Sequence, residues 1–340
     1  MKVVIPVAGE GTRMRPLTDA VPKPLLEVAG EAILGHLLRG LEGLPVEELI
    51  FVVGFKKEMI VDYVRARTKT KARFVAQDKP AGLGYAVNLT LPYVERGPLL
   101  ILLGDTVLEL DWKPVLQAKE NLLGLKEVDD PKRFGIAIVQ NGKIAELEEK
   151  PQKPKSRSAI VGPYFIQDLE LFKKCLADLV AGPPGVGGEW QITDGLANMI
   201  KAGAVFRPLW IDGWFDCGKP ETLLETNRHL LSRFAEAPSP SASLDKLRDK
   251  SLGTSRTGST ITPPCFIASS AVVESSTIGP FVSIGERAAV RFSSLRNSII
   301  SARTTVNRCT LEDSIIGAGA VVNGQKGRVT MGTSSEVSIL

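Results

Sequence analysis

Residues 3–26 read Val-Val-Ile-Pro-Val-Ala-Gly-Glu-Gly-Thr-Arg-Met-Arg-Pro-Leu-Thr-Asp-Ala-Val-Pro-Lys-Pro-Leu-Leu. Val3 to Val7 form a short apolar run of strand character, and it leads directly into the turn Gly9-Glu10-Gly11. The fixed cations Arg13 and Lys23 follow closely. Glycines let backbone N–H groups approach an anion, and the two cations put positive charge where a polyphosphate would lie. Two familiar nucleotide motifs are nevertheless absent. A dinucleotide fingerprint needs a glycine where Met14 stands, and no Gly-Lys-Ser/Thr occurs to make a P-loop.

Outward from this stretch, short apolar runs alternate with helical patterns as far as Phe234. Val3 to Val7, Leu49 to Val53, Arg73 to Ala76 and Leu99 to Leu103 read as strands, whereas Ile33 to Leu41 places Leu34, Leu37, Leu38 and Leu41 on one helical face. This alternation predicts an α/β fold with a mostly parallel sheet covered by helices. Phe134 to Val139, Lys143 to Glu148 and Ile160 to Ile166 follow too closely for helical crossovers, so antiparallel additions make the sheet mixed. Arg65, Arg67, Lys69, Lys71 and Arg73 recur at every second residue, which on an extended segment makes one charged, solvated face.

Composition divides the chain into 1–234, a linker at 235–262 rich in Ala, Pro, Ser, Thr and Gly, and 263–340. The linker offers only Leu244, Leu247 and Leu252 for burial, enough for one helical turn. Beyond it, apolar residues recur in three interleaved series, 267, 284, 300, 316, then 273, 290, 306, 322, then 278, 295, 311, each spaced by sixteen or seventeen. Three flat faces per coil account for this spacing and predict about three and a half coils, with the Ile-Gly steps at 278–279, 284–285 and 316–317 supplying turns. The pattern resembles hexapeptide-repeat, left-handed parallel β-helices.

The 340 residues are enough for two domains, and 44% apolar with 24% charged residues fit a globular class. A net charge of +4 carries no footprint for nucleic acid. Four widely separated cysteines suggest neither a metal knuckle nor a redox pair and fit reduced thiols. With no long apolar run, no membrane segment and a cytoplasmic location are expected.

The string Gly-x-Gly-Thr-Arg-Met-Arg-Pro-Leu-Thr followed by Pro-Lys-Pro-Leu-Leu resembles the signature of sugar-1-phosphate nucleotidylyltransferases. Further pieces occur in family order: Gln77 with Pro80-Ala81-Gly82-Leu83-Gly84, the run Leu99 to Gly104 ending in Asp105, Asp129-Asp130-Pro131 with Phe134-Gly135, Glu148-Glu149-Lys150-Pro151, Ile192-Thr193-Asp194, and Trp214-Phe215-Asp216-Cys217-Gly218. The resemblance covers essentially the first 230 residues. It implies a Rossmann-like three-layer catalytic domain that joins a sugar 1-phosphate to a nucleoside triphosphate and releases pyrophosphate with the help of Mg²⁺.

By that resemblance Asp105 and Asp216 are the metal carboxylates. Arg13 and Lys23 grip the triphosphate, the backbone around Ala8, Gly9, Gly11 and Thr12 holds phosphates, and Gln77 with Gly82 reads the base. Lys150 neutralises the sugar phosphate, while Gly135, Glu149 and Trp214 attend the sugar. No general base is needed, because a phosphate monoester is already ionised at neutral pH. The two residues between Ala8 and Gly11 and the Gly82 loop resemble uridylyltransferases; Pro-Lys-Pro-Leu-Leu, Asp216-Cys217-Gly218 and the repeat tail resemble long thymidylyltransferases. Glucose 1-phosphate with dTTP or UTP is therefore expected, with mannose-1-phosphate guanylyl transfer and a non-catalytic regulatory subunit as alternatives. The only histidines, His36 and His229, precede the linker, so the tail lacks the base of an acetyltransferase. The tail is expected to be structural, oligomerising or regulatory, the chain a homo-oligomer, and removal of everything after Pro264 is expected to spare the chemistry.

Overall fold

The computed structural model describes residues 1–236 and 257–338. Most of the linker, including Leu244, Leu247 and Leu252, lies outside the described residues. By packing, the chain forms two units, each assembled from separated segments. One comprises Met1–Gly9, Gly40–Gly104 and Leu108–Trp214; the other comprises Glu10–Arg39, Asp105–Val107 and Phe215–Leu340.

The first unit is built on a nine-stranded sheet. Lys143–Glu149, Gly135–Gln140, Ser158–Ile166, Leu99–Ile101, Lys2–Pro6, Glu48–Val53 and Ala72–Ala76 lie side by side, and Asn121–Glu127 joins Ser158–Ile166 to Phe206–Trp210. Only Lys143–Glu149 and Ser158–Ile166 run against the rest, so the sheet is mixed and mostly parallel as the spacing predicts. Its central strands are apolar on both faces because helices cover them. Val4, Ile50 and Ile101 pack with Val87, Phe172 and Leu196 from helices Leu83–Asn88, Leu169–Ala181 and Ile192–Lys201. The alternating cations do not share one extended face. A helix over Lys57–Arg67 carries Arg65 and Arg67, while Lys71 and Arg73 belong to the strand end and pair with the buried Glu48 at 3.2 and 3.0 Å. Burial raises the Glu48 carboxyl, but these cations and Lys2 outweigh it and hold the group below its ordinary range.

The second unit contains a left-handed parallel β-helix of three five-stranded sheets. Its interior registers repeat the sequence series: Ile267, Ile284, Ile300, Ile316 and Met331 in one sheet, and Val273, Val290, Val306, Val322 and Val337 in another. Five rungs form rather than three and a half. The ends escape the pattern because Ile261 lies within the low-complexity stretch and Gly327 replaces an apolar residue in the third series.

The core of this unit includes more than the coil. Met14, Leu17, Val28, Ala29 and Ile33 are buried together with Phe266, Ile267, Ile284, Ile300 and Met331. The segment from Pro16 to Gly30 spans the whole stack. Pro16 lies against Gly332 on the fifth rung, Glu27 reaches Gly285 and Ala302 on the second and third, and Gly30 abuts the Phe266 ring on the first. A Cβ on Gly332 would stand 2.8 Å from the Pro16 oxygen, and one on Gly285 would stand 2.6 Å from the Ala302 nitrogen. Gly285 and Gly317 have ordinary φ, so these Ile-Gly steps serve close approach; only Gly279, at φ 104°, needs glycine for its turn. The segment at 14–33 therefore shares its core with the tail.

Candidate active site

In the second unit the signature segment has no long helix or strand of its own. It folds as three short 3₁₀ turns, Thr12–Met14, Leu17–Asp19 and Lys23–Leu25. Gly11 is fixed on two grounds: its φ of 67° is left-handed, and a Cβ there would meet Lys23 Cβ and Thr18 Cγ2 at 3.0 Å. The Thr18 hydroxyl donates to the Gly11 carbonyl at 2.9 Å, and the Met14 N–H donates to the same oxygen at 2.8 Å. Met14, which breaks the dinucleotide pattern, is fully buried and anchors the turn. Thr12 and Arg13 stay exposed beside it.

The Lys23 ammonium is buried and donates to Asp105 Oδ2 at 2.7 Å, with Asp216 Oδ1 at 3.9 Å. Asp105 directly precedes the strand Thr106–Glu109, and Asp216 ends its ribbon partner Gly213–Asp216. A Cβ on Gly218 would fall 2.7 Å from Asp216 Oδ1, so the glycine makes room for the carboxylate. Beneath it Cys217 is fully buried, donates to Thr226, and has its thiol pushed up to about 12 by burial. It stays a thiol and serves packing rather than nucleophilic attack.

Two carboxylates sharing one cation fit Mg²⁺, which takes one or two carboxylates and fills its other positions with phosphate and water oxygens. No cluster of three or more acidic, histidine or cysteine side chains suited to a metal occurs among the described residues.

The first unit holds the other candidates. Ala8 and Gly9 end the first strand, with the Ala8 carbonyl accepting from Phe55 at 3.2 Å and Gly9 exposed. Gln77 closes the strand Ala72–Ala76 through its N–H to the Val53 carbonyl at 2.8 Å, and its side-chain amide donates to Lys79 at 2.9 Å. Gly82, at φ 97°, starts the helix Leu83–Asn88. It is pressed against residues 189–190, where a Cβ would stand 2.6 Å from the Trp190 carbonyl.

A second cluster gathers around Gly135. A Cβ there would lie 2.7 Å from Thr193 Oγ1 and 2.9 Å from Glu149 Oε2, so the carboxylate closes over bare backbone. Glu149 pairs with Lys150 at 3.4 Å, and the Lys150 N–H donates to the Phe134 carbonyl at 3.0 Å. Phe134 meets Trp214 edge-on at 5.9 Å. The Trp214 indole N–H is buried and finds no acceptor among the described residues. Its carbonyl accepts from Lys126 at 3.2 Å, and burial pulls the Lys126 ammonium below its ordinary value. Lys126 emerges here only through folding, since it lies in an ordinary strand and belongs to no chemically unusual string, whereas Thr193 sits in the Ile192-Thr193-Asp194 piece.

The structure thus brings together Lys23, Asp105 and Asp216 in one unit, and Gly135, Glu149 and Lys150 in the other, with Trp214 packed beside Phe134. A family model described as Nucleotidyl transferase matches residues 2–233. A bifunctional GlmU protein of Methanococcus aeolicus is 35% identical over 234 residues, covering 68% of this chain and 54% of its own. This chain therefore spans about half the length of that relative. A glucose-1-phosphate thymidylyltransferase of Streptomyces griseus is 30% identical over 334 residues, with 93% and 92% covered. A Bacillus anthracis crystal structure assigned as a glucose-1-phosphate thymidylyltransferase, in complex with sucrose, superposes with a TM-score of 0.60 at 28% identity over 72% of this chain and 99% of its own. A UDP-glucose pyrophosphorylase structure with UDP-glucose superposes equally well, at 21% identity over 68% and 98%, and shares the fold. With the family model matching more than half of its length, the chain belongs to the nucleotidyl transferase family.

Proposed function

We propose that the chain is a sugar-1-phosphate nucleotidylyltransferase that takes glucose 1-phosphate and a pyrimidine nucleoside triphosphate, dTTP or UTP. The observation that carries this reading is the buried Lys23 shared by Asp105 and Asp216. A non-catalytic subunit would have no need to keep all three. The thymidylyltransferase relative, similar along almost the whole chain, supports the choice of sugar. Uracil and thymine differ by one methyl, worth about 1 kcal/mol of burial, so one pocket can admit both.

The reaction is in-line displacement at the α-phosphorus by a sugar-phosphate oxygen. Because it unites two polyanions, positioning and charge neutralisation supply most of the catalysis. The Gly11 and Thr12 backbone and Arg13 hold the triphosphate, and Lys23 turns from the carboxylates towards the departing pyrophosphate. When bound by Asp105 and Asp216, Mg²⁺ neutralises phosphate charge. Lys150 offsets the charge of the attacking phosphate. Glu149 accepts from sugar hydroxyls, and the unpartnered Trp214 N–H donates to one. Gln77 offers both donor and acceptor to a pyrimidine edge.

Pyrophosphate release measured for five nucleoside triphosphates against a panel of sugar 1-phosphates tests the reading. Turnover is expected with dTTP or UTP and glucose 1-phosphate, only with Mg²⁺. An absence of pyrophosphate with every pair, or an Asp105→Asn variant at full rate, would overturn it.

A further inference from the structure

The segment carrying Lys23 and the loop carrying Asp216 are both fastened to one point on the helix Pro220–Glu236. Thr226 accepts from the Cys217 thiol, one residue after Asp216, at 3.7 Å. Its neighbour Asn227 is completely buried. Asn227 Oδ1 accepts from the Ala29 N–H at 2.9 Å and from the Ser283 hydroxyl at 2.6 Å, while Nδ2 donates to the Phe281 carbonyl at 3.2 Å. One amide therefore joins the signature segment, the helix and the second rung of the β-helix. Glu27 adds a parallel tie through the Ala302 N–H at 3.2 Å.

Asn227 is well suited to this task. A buried amide that spends its acceptor twice and its donor once tolerates neither rotation nor loss, because each abandoned partner would be an unsatisfied buried polar group. Ala29 itself has a left-handed φ of 49°, a conformation that its surroundings must hold in place. The short turns that present Lys23 have no regular structure to hold them, which leaves their alignment to long-range ties of this kind.

We propose that Asn227 is a positioning residue: it registers the Lys23 segment and the Asp216 loop against the β-helix, which makes the coil a working part of the triphosphate and metal half of the site. This rests on the function proposed above. Neither the coil nor Asn227 touches the reacting groups in this account; they act through Lys23 and Asp216.

The test uses the full chain and compares the wild type with Asn227→Ala and Ser283→Ala. Circular dichroism and thermal melting establish that each variant is folded. In Asn227→Ala, KM for the nucleotide is expected to rise at least fivefold and kcat to fall roughly tenfold, with KM for the sugar 1-phosphate within twofold of wild type. Affinity for Mn²⁺ with nucleotide, read by electron paramagnetic resonance, is expected to weaken in step. A general loss of packing would move both KM values together, and that result, or a folded variant with wild-type constants, overturns the proposal. If Asn227→Ala does not fold, Ser283→Ala decides, because it removes only the rung's donor. The same split at two- to threefold supports the joint; its absence overturns it. A wild type that never releases pyrophosphate would instead overturn the functional reading, whereas an active wild type without the split leaves that reading intact and refutes the joint alone.

Discussion

In the sheet unit, each candidate residue is held by the element it sits on or beside. Gln77 follows the end of a strand, Gly135 and Glu149 face each other across a two-strand register, and Gly82 opens a helix. In the β-helix unit the arrangement is reversed. The segment bearing Arg13 and Lys23 has three isolated turns and takes its core from rungs more than 230 residues downstream, as the Glu27–Ala302 tie at a separation of 275 shows. Local support makes a site robust to distant change; borrowed support makes the lender part of the site.

Truncation is the most direct way to break that contrast. A chain ending at Pro264 would strip the coil from the core that buries Met14, Leu17, Val28 and Ile33. We expect loss of cooperative melting in the signature segment and no measurable pyrophosphate release, checked by limited proteolysis and turnover; a folded, active truncation would show that the support is local after all. Next in size, Lys23→Met removes a preorganised charge, and kcat should fall roughly 10²- to 10³-fold with the sugar-phosphate KM little changed. Glu149→Gln should act on the other unit alone. Weakening a hydrogen bond to a charged group costs about 1.5–3 kcal/mol, so KM for the sugar 1-phosphate should rise at least tenfold while nucleotide KM holds.

The smallest effect sharpens the comparison through pH. Burial, opposed only in part by the Ala302 N–H and Arg303, raises the Glu27 carboxyl above its ordinary value of 4.5. The native state therefore binds this proton more tightly than the unfolded chain does. Its contribution to stability is complete below the ordinary carboxylate value and is lost as pH rises through the raised one. Glu27→Gln should melt with a flatter pH dependence and gain a few degrees relative to wild type on the alkaline side of that window. Melting curves from about pH 4 to pH 8 check it; parallel curves would mean that Glu27 is not titrating in the fold.

Much of this was legible in the sequence. The interior series of the coil repeats because each buried position recurs once per turn, and the strands near Val3, Leu49 and Leu99 are plain because both their faces are apolar. Asn121–Glu127 escaped because its seven residues are interrupted by Gly124, which is there for a carbonyl: a Cβ would lie 2.2 Å from the Gly162 oxygen. The triad Lys23, Asp105 and Asp216 could be named from motif resemblance alone. The role of Asn227 could not, since an asparagine in an amphipathic helix has many ordinary uses. What distinguishes it is a partner far away in the chain, and pattern along a sequence does not encode that.

The run of Pro16 to Gly30 along all five rungs has a last consequence. Strands stack about 4.8 Å apart, so five rungs make a floor on the order of 19 Å long, and the signature segment covers it from end to end. The segment is thus a ruler for the coil. Losing one rung would strand Pro16 beyond the end of its support, whereas a further rung after Ser338 would leave the contact of Pro16 with Gly332 in place. Repeat number in this chain is thereby bounded from below by the length of a loop more than 230 residues earlier in the sequence.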